Sequence, residues 1–192
     1  MLTPDQIQAN KMKYIDLLCK LGIDLTQLIE YLEAIDFFNK PGSLQYNKAY
    51  PGGLCEYALD LHHELTRIAG AYTKPGTYSE IDIIIVALFK DLYRAELYEA
   101  YNKNVKNEHT GQWESVLAYR NKEIRPVFGD IGFSSFMIIK RFIYLTDEQI
   151  EAICYSAFNK SYEVDIHNIR KMYPLVALTT MAEIAVTYIS KN

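Results

Sequence analysis

Through most of the chain, apolar residues recur at the three- and four-residue spacing of a helix face. Thr3-Pro4-Asp5-Gln6 combines a capping hydroxyl, a proline at the first helical position and a glutamine three residues after the cap. That arrangement predicts a helix over Ile7 to Leu21, ended by Gly22. Asp24 is placed to cap a second helix, where Leu25, Leu28, Ile29, Leu32 and Ile35 share a face, and Asn39-Lys40-Pro41-Gly42-Ser43 breaks it. A third helix, entered through Pro51-Gly52-Gly53, carries the stripe Leu54, Tyr57, Ala58, Leu61, Leu65 and Ile68 and is predicted to close at Gly70. Ser79 starts a fourth, with Ile81, Ile84, Ile85, Leu88, Leu92 and Ala95 facing the core.

From Tyr101 to Pro126 the helical period disappears. Two short runs flank Asn107-Glu108-His109-Thr110-Gly111, which predicts a small β-hairpin or an irregular flap over residues 101–126. Helical spacing resumes from Ser134 to Tyr144, and Thr146-Asp147-Glu148-Gln149 is a capping box ahead of Ile150 to Phe158. Pro174 opens a last helix with Leu175, Leu178, Ala182, Val186 and Ile189 on one side. With no internal repeat or linker, the expectation is one mainly α domain over residues 1–192, its N-terminal helices in 1–36.

Composition narrows the function classes. At 49% hydrophobic and 23% charged, the 192 residues can bury enough apolar surface to offset chain entropy. A net charge of -4 leaves no basic face for duplex nucleic acid. No apolar run reaches the roughly 18 residues of a membrane helix, and the first residues lack the pattern of a secretion signal, so a cytoplasmic protein is expected. Cys19, Cys55 and Cys154 are odd in number and far apart, which fits reduced thiols better than disulfides or a zinc motif.

Two acids sit where apolar residues belong. Asp91 follows Leu88 by three and Ile84 by seven, and Glu183 follows Thr179 by four and Val176 by seven, so helical spacing brings both to the core side. A buried carboxylate needs a partner, and Lys90, Arg94 or a distant residue can serve Asp91. Salt bridges at the edge of the core and a functional pocket explain these acids equally well. His62 and His63 point in different directions, and His109 and His167 fall in loops or near a helix end, so no metal cluster is visible. No phosphate loop or nucleophile elbow is present. Tyr93, Tyr98, Tyr101 and Trp113 could stack on a base, but aromatics at this spacing are more often core.

Taken in order, Phe37-Phe38, Tyr50-Pro51-Gly52-Gly53-Leu54-Cys55-Glu56, Lys90-Asp91-Leu92, Asn104-Val105-Lys106-Asn107 with Thr110-Gly111-Gln112-Trp113-Glu114, and Leu145-Thr146-Asp147-Glu148 resemble the small HD-domain phosphohydrolases of bacteriophages and prophages. The resemblance runs from about Ile29 to the C terminus and implies an HD-like helical bundle, with its core region over 50–192. It also implies a divalent metal held by a histidine after the Gly-Gly-Leu turn, an adjacent His-Asp pair and a late aspartate. Those positions carry Tyr57, Lys90 with Asp91, and Glu183. Auxiliary histidines are replaced by Asn47, a residue at about Ile131, and Ser156.

Two carboxylates alone make a weak, open metal site, and an ammonium beside them has no lone pair to offer. The expectation is that Lys90 substitutes for the metal's charge by bridging to Glu183, with Asp91 nearby and Tyr57 filling the vacated imidazole volume. On this reading the domain has no cofactor and no catalytic residue. It binds through a remnant pocket of Asn47, Tyr57, Lys90, Asp91, Arg94, Ser156 and Glu183. Arg94, with Lys106 or Arg125, could grip a phosphorylated ligand, or could instead pair with Glu96 or Glu99. The phage-like resemblance adds two candidate partners, a host nucleotide signal to be sequestered or a host protein to be blocked. The alternative is an active phosphohydrolase, with Mn or Mg held by Asp91, Glu183 and His62 or His63.

Overall fold

The computed structural model describes residues 1–123, 130–157 and 164–189. The fold is mainly helical with one two-stranded antiparallel sheet. The helices are α1 (Pro4–Cys19), α2 (Thr26–Ala34), α3 (Gly53–Tyr72), α4 (Glu80–Phe89), α5 (Tyr93–Leu97), α6 (Ile131–Ile139), α7 (Asp147–Tyr155), α8 (Ile166–Met172) and α9 (Pro174–Ile184). A 3-10 turn, Phe37–Asn39, follows α2, and a π-helical turn, Ala185–Ile189, extends α9. The strands are β1 (Tyr98–Lys106) and β2 (Trp113–Asn121). Among the described residues no single helix is long and apolar enough to cross a membrane.

Reciprocal capping boxes start α1 at Thr3 and Gln6, α4 at Ser79 and Asp82, and α7 at Thr146 and Gln149. Each satisfies two backbone amides, those of the cap residue and of the third helical residue, that a helix start leaves open. The buried apolar residues form two clusters that share α3 and α4. Tyr14, Leu18, Phe37, Leu54, Ile84, Leu88 and Ile139 belong to one, and Tyr57, Leu61, Leu65, Ile83, Val86, Leu175 and Val176 to the other. Because α4 is packed from both sides, every residue from Ile83 to Phe89 is buried, which is why its sequence is apolar all round. Tyr14 ties α1 to the end of this helix, its buried hydroxyl donating to the Leu88 carbonyl at 2.9 Å.

Several boundaries differ from expectation. Asp24 accepts from the Thr26 amide and hydroxyl at 3.0 and 2.8 Å, but Leu25 occupies the cap position. Ile81 faces outward at 41% exposure. α6 begins at Ile131 and ends at Ile139, earlier at both ends than the spacing predicts. The nine-residue strands start at Tyr98, and their register pairs Tyr98 with Asn121 and Lys106 with Trp113. α8 buries none of its residues and so shows no stripe; Asp165 caps it by accepting from the His167 and Asn168 amides. Most important, the helix from Ser79 does not continue to Ala95: α4 stops at Phe89, and Lys90 and Asp91 lie in a turn before α5. Pro126 and Phe158, the predicted limits of the hairpin segment and of α7, lie outside the described residues.

At the start of α3, Gly52 has φ +81° and Gly53 packs directly on the preceding loop. A Cβ on Gly53 would lie 2.1 Å from the Lys48 carbonyl oxygen, which is already fixed by the Gly42 amide at 2.9 Å. Lys48 in turn bridges Glu56 at 3.0 Å and Asp60 at 2.8 Å on α3. By contrast, α3 runs through Gly70 without ending, and a Cβ there meets nothing within 4 Å. Gly53→Ala is therefore expected to destabilise the protein by about 1–3 kcal/mol or more through overpacking. Gly70→Ala is expected to stabilise it by about 0.5–1 kcal/mol by restricting the unfolded chain. Urea unfolding of the two variants distinguishes these opposite signs.

Candidate functional site

The break between α4 and α5 builds the site. Lys90 and Asp91 lie in this turn, where the backbone keeps right-handed helical angles at Lys90 (φ -59°, ψ -29°) and at Leu92 (φ -51°, ψ -40°). In the turn, their side chains meet, with Lys90 Nζ 3.0 Å from Asp91 Oδ2. Backbone bonds hold the turn: Lys90 N donates to Val86 O, Leu92 N to Phe89 O and Arg94 N to Asp91 O. The Ser135 hydroxyl of α6 accepts from Tyr93 N at 3.0 Å. The same ammonium lies 3.4 Å from Glu183 Oε2 on α9, an ion-pair distance without a hydrogen bond. The other aspartate oxygen, Asp91 Oδ1, accepts from Arg94 Nε at 2.9 Å, and Arg94 Nη1 donates to the Tyr98 hydroxyl at 3.2 Å. Both carboxylate oxygens of Asp91 are thus paired with cations.

Lys90, Asp91 and Glu183 are buried, and Arg94 is partly exposed. Burial alone would disfavour the Lys90 ammonium, but Asp91 and Glu183 outweigh it and hold its pKa above the ordinary lysine value. Burial would likewise raise Asp91, yet Lys90 and Arg94 outweigh it and keep its carboxyl well below the usual range. Tyr57 is buried beside this cluster and feels the charges of Lys90, Asp91, Glu183 and Arg94; burial pushes its phenol up.

A cavity of ≈ 290 Å³ opens over the cluster, walled by the Lys90–Arg94 turn, the start of α6, the end of α7 and Glu183 of α9. Asp130, Gly132 and Cys154 also line it. Asp130 is the N-cap of α6, accepting from Phe133 N at 2.9 Å. A Cβ on Gly132 would come within 2.4 Å of the Ile153 carbonyl oxygen, so this glycine lets the start of α6 approach the end of α7. Burial first, then Glu151 and Asp130, pushes the Cys154 thiol up to about 12, so it is protonated at neutral pH.

Of the expected pocket residues, Lys90, Asp91, Arg94 and Glu183 line one cavity, with Tyr57 buried against their charges. Ile131 is on the cavity wall. Ser156 is fully buried with no hydrogen bond to its hydroxyl, while its carbonyl accepts from Thr180, and it is not on that wall. Asn47 instead donates to the Thr187 hydroxyl at 3.5 Å, one turn beyond Glu183. Lys106 ends β1 on an exposed stretch of hairpin, and Arg125 lies outside the described residues. Arg94 does not pair with Glu96 or Glu99: Glu96 accepts from Tyr31 and Glu99 from Arg120. Asp130 was missed, although an aspartate just before an apolar helical run is a legible N-cap signal.

The histidines do not join the cluster. Half-buried His62 lines a different cavity together with Glu80, and His63, His109 and His167 are exposed. Among the described residues no three His, Cys, Asp or Glu side chains are grouped to hold a metal ion. The residues at the cavity do not fit a dication, because an ammonium lies against the two carboxylates that would ligate it. Tyr93 and Tyr98 are core residues, whereas Tyr101 sits under Arg120 and Trp113 is 72% exposed.

Lys90→Met leaves Glu183 buried without its cation and is expected to cost about 3–5 kcal/mol. Lys90→Met with Glu183→Leu removes both charges and is expected to recover part of that loss, leaving Asp91 paired with Arg94. Denaturant unfolding of the two single variants and the double variant measures the coupling, and additive losses would deny it. The pH dependence has two limbs. Asp91 is depressed from 3.8, so its contribution is present above that value and is lost as pH falls through the folded pKa. Lys90 is raised from 10.5, so its contribution is present below that value and is lost as pH rises through the folded pKa. The difference in stability between wild type and Asp91→Asn is expected to be constant between about pH 5 and 9 and to shrink in acid. No known protein family, curated protein or solved structure matches this chain.

Proposed function

We propose that the chain is an HD-like domain in which an internal ion-pair cluster stands in for a metal centre, and that it acts by binding rather than hydrolysis. The observation that carries this reading is the position of Lys90 Nζ, 3.0 Å from Asp91 and 3.4 Å from Glu183. An ammonium there supplies positive charge to both acids but no Lewis-acid orbital and no bound water to activate. An active phosphohydrolase on Asp91, Glu183 and His62 or His63 would need to join acids of one cavity to a histidine that lines another, His62, or one that is exposed, His63.

The ligand reading follows from what is left over at the cavity. Lys90, Asp91 and Glu183 are engaged with one another, while Arg94 has spent Nε on Asp91 and Nη1 on Tyr98 and retains Nη2. That nitrogen is a charge-assisted donor suited to a phosphate or carboxylate oxygen. The two cations Lys90 and Arg94 are set against the two carboxylates Asp91 and Glu183, which leaves no excess positive charge for a highly charged triphosphate. The volume, ≈ 290 Å³, is at the small end for ligand sites. A compact nucleotide with a singly charged phosphodiester suits both limits, and sequestering such a signal requires no turnover.

Thermal unfolding in the presence of cyclic mononucleotides, linear monophosphates and triphosphates tests the reading. At about a hundredfold excess over Kd a cyclic nucleotide is expected to add about 2.7 kcal/mol, a rise of roughly 5–11 °C, with triphosphates inert. Arg94→Lys is expected to abolish the shift. No response to any nucleotide would reject this ligand class and turn attention to a host protein as the target. Stoichiometric Mn, Fe, Ni or Zn in the purified protein would overturn the noncatalytic reading itself.

A further inference from the structure

The β1–β2 hairpin is an exposed arm. Nine-residue strands span about 30 Å, yet every residue from Asn102 to Leu117 except half-buried Asn107 is exposed. Val105, Trp113, Val116 and Leu117 are apolar residues left at 39–72% exposure. A two-stranded sheet without a packed face is marginal in water, and a third strand makes it stable. The outer backbone groups of both strands lack hydrogen bonds to any other described element.

The two edges are not equivalent. β1 carries Lys103 and Lys106 among Asn102 and Asn104, the charged, polar composition that discourages strand addition. β2 contains the uncharged run Ser115-Val116-Leu117-Ala118-Tyr119. A groove of ≈ 440 Å³ lies between the hairpin and the 41–51 segment. Leu117 to Asn121 of β2 line it together with Tyr101 and Lys103 of β1, so the groove runs along the second half of β2 and onto the hairpin face that carries Tyr101. Pro41, Leu44 and Pro51 supply an apolar wall on the far side.

We infer that β2 pairs antiparallel with β2 of a second copy of this chain, making a four-stranded sheet in the order β1-β2-β2-β1 across a two-fold axis at Leu117. The charges select this occupant and register. Antiparallel pairing centred on Leu117 sets Glu114 of each chain opposite Arg120 of the other, twice by symmetry, with both side chains on the face that carries Glu99 and Tyr101. It also places Val116 opposite Ala118, Ser115 opposite Tyr119, and the two Leu117 side chains together. The equivalent pairing of β1 about its centre, Asn102, gains no such reciprocal match: Glu99 falls opposite Val105 and Lys103 opposite Tyr101.

Sedimentation velocity of the full chain from about 1 to about 100 μM tests the pairing. The expected result is a concentration-dependent dimer of two 22.2 kDa chains. Leu117→Lys, at an exposed position, is expected to weaken dimerisation at least about tenfold with the helical circular dichroism unchanged. Glu114→Arg is expected to weaken it by placing like charges opposite each other, and Glu114→Arg with Arg120→Glu to recover it. A wild-type chain that stays monomeric at the highest concentration overturns the inference. So does a dimer indifferent to Leu117→Lys.

Discussion

A lysine ammonium enclosed with two carboxylates is the interaction around which the central part of this fold is arranged. Each of Lys90, Asp91 and Glu183 would be costly alone in the interior, and none has water enough to replace its partners. Their mutual satisfaction sets geometric demands on the backbone. The turn after α4 carries Lys90 and Asp91 into contact, and α9 brings Glu183 to the same place. Arg94, one turn on, completes the pairing of Asp91. The helices are held to one another by burial of apolar surface, but their local register at this point is set by charge.

That division explains what could be read along the chain. Signals that are local in sequence were legible: the capping boxes at Thr3, Ser79 and Thr146 require only residues three apart, and all start helices. The misplaced acids were legible too, since polar residues at apolar spacing mark themselves. The break at Lys90 was not, because Leu92 and Ala95 continue the apolar period across it and both are in fact buried. Periodicity reports which face is inward and cannot report a local switch to three-residue backbone bonds that keeps the same face inward. α8 was hidden for the opposite reason, having no inward face at all. For Arg94 the sequence offered both Asp91 and the pair Glu96 and Glu99; Asp91 is its partner, while Glu96 is engaged by Tyr31 across the fold and Glu99 by Arg120 on the paired strand.

Replacing a metal with an ammonium preserves one property and loses another. Both neutralise clustered carboxylates, so on the HD-like reading the helices that once converged on an ion can converge on Lys90. The ammonium, however, donates hydrogen bonds and accepts no lone pairs, so it cannot polarise a phosphoryl oxygen or lower the pKa of water. The packing function and the chemical function of such a centre are separable, and the proposed reading assigns this cluster the first.

The consequence is a redistribution of where this molecule can meet another. At the centre, the charges are spent on each other, and the buried oxygen of Glu183 faces Lys90 rather than open space. What faces outward is the partly exposed Arg94 at the cavity and the hairpin arm, where Trp113, Val116 and Leu117 are uncovered. On the proposed readings, Arg94 at the cavity would select on the charge of a small ligand, while the β2 edge would select on backbone geometry and so suit a protein segment. The two proposed surfaces thus rest on different physics, charge at the cavity and backbone pairing at the hairpin, and lie on different elements, the Lys90–Arg94 turn and β2.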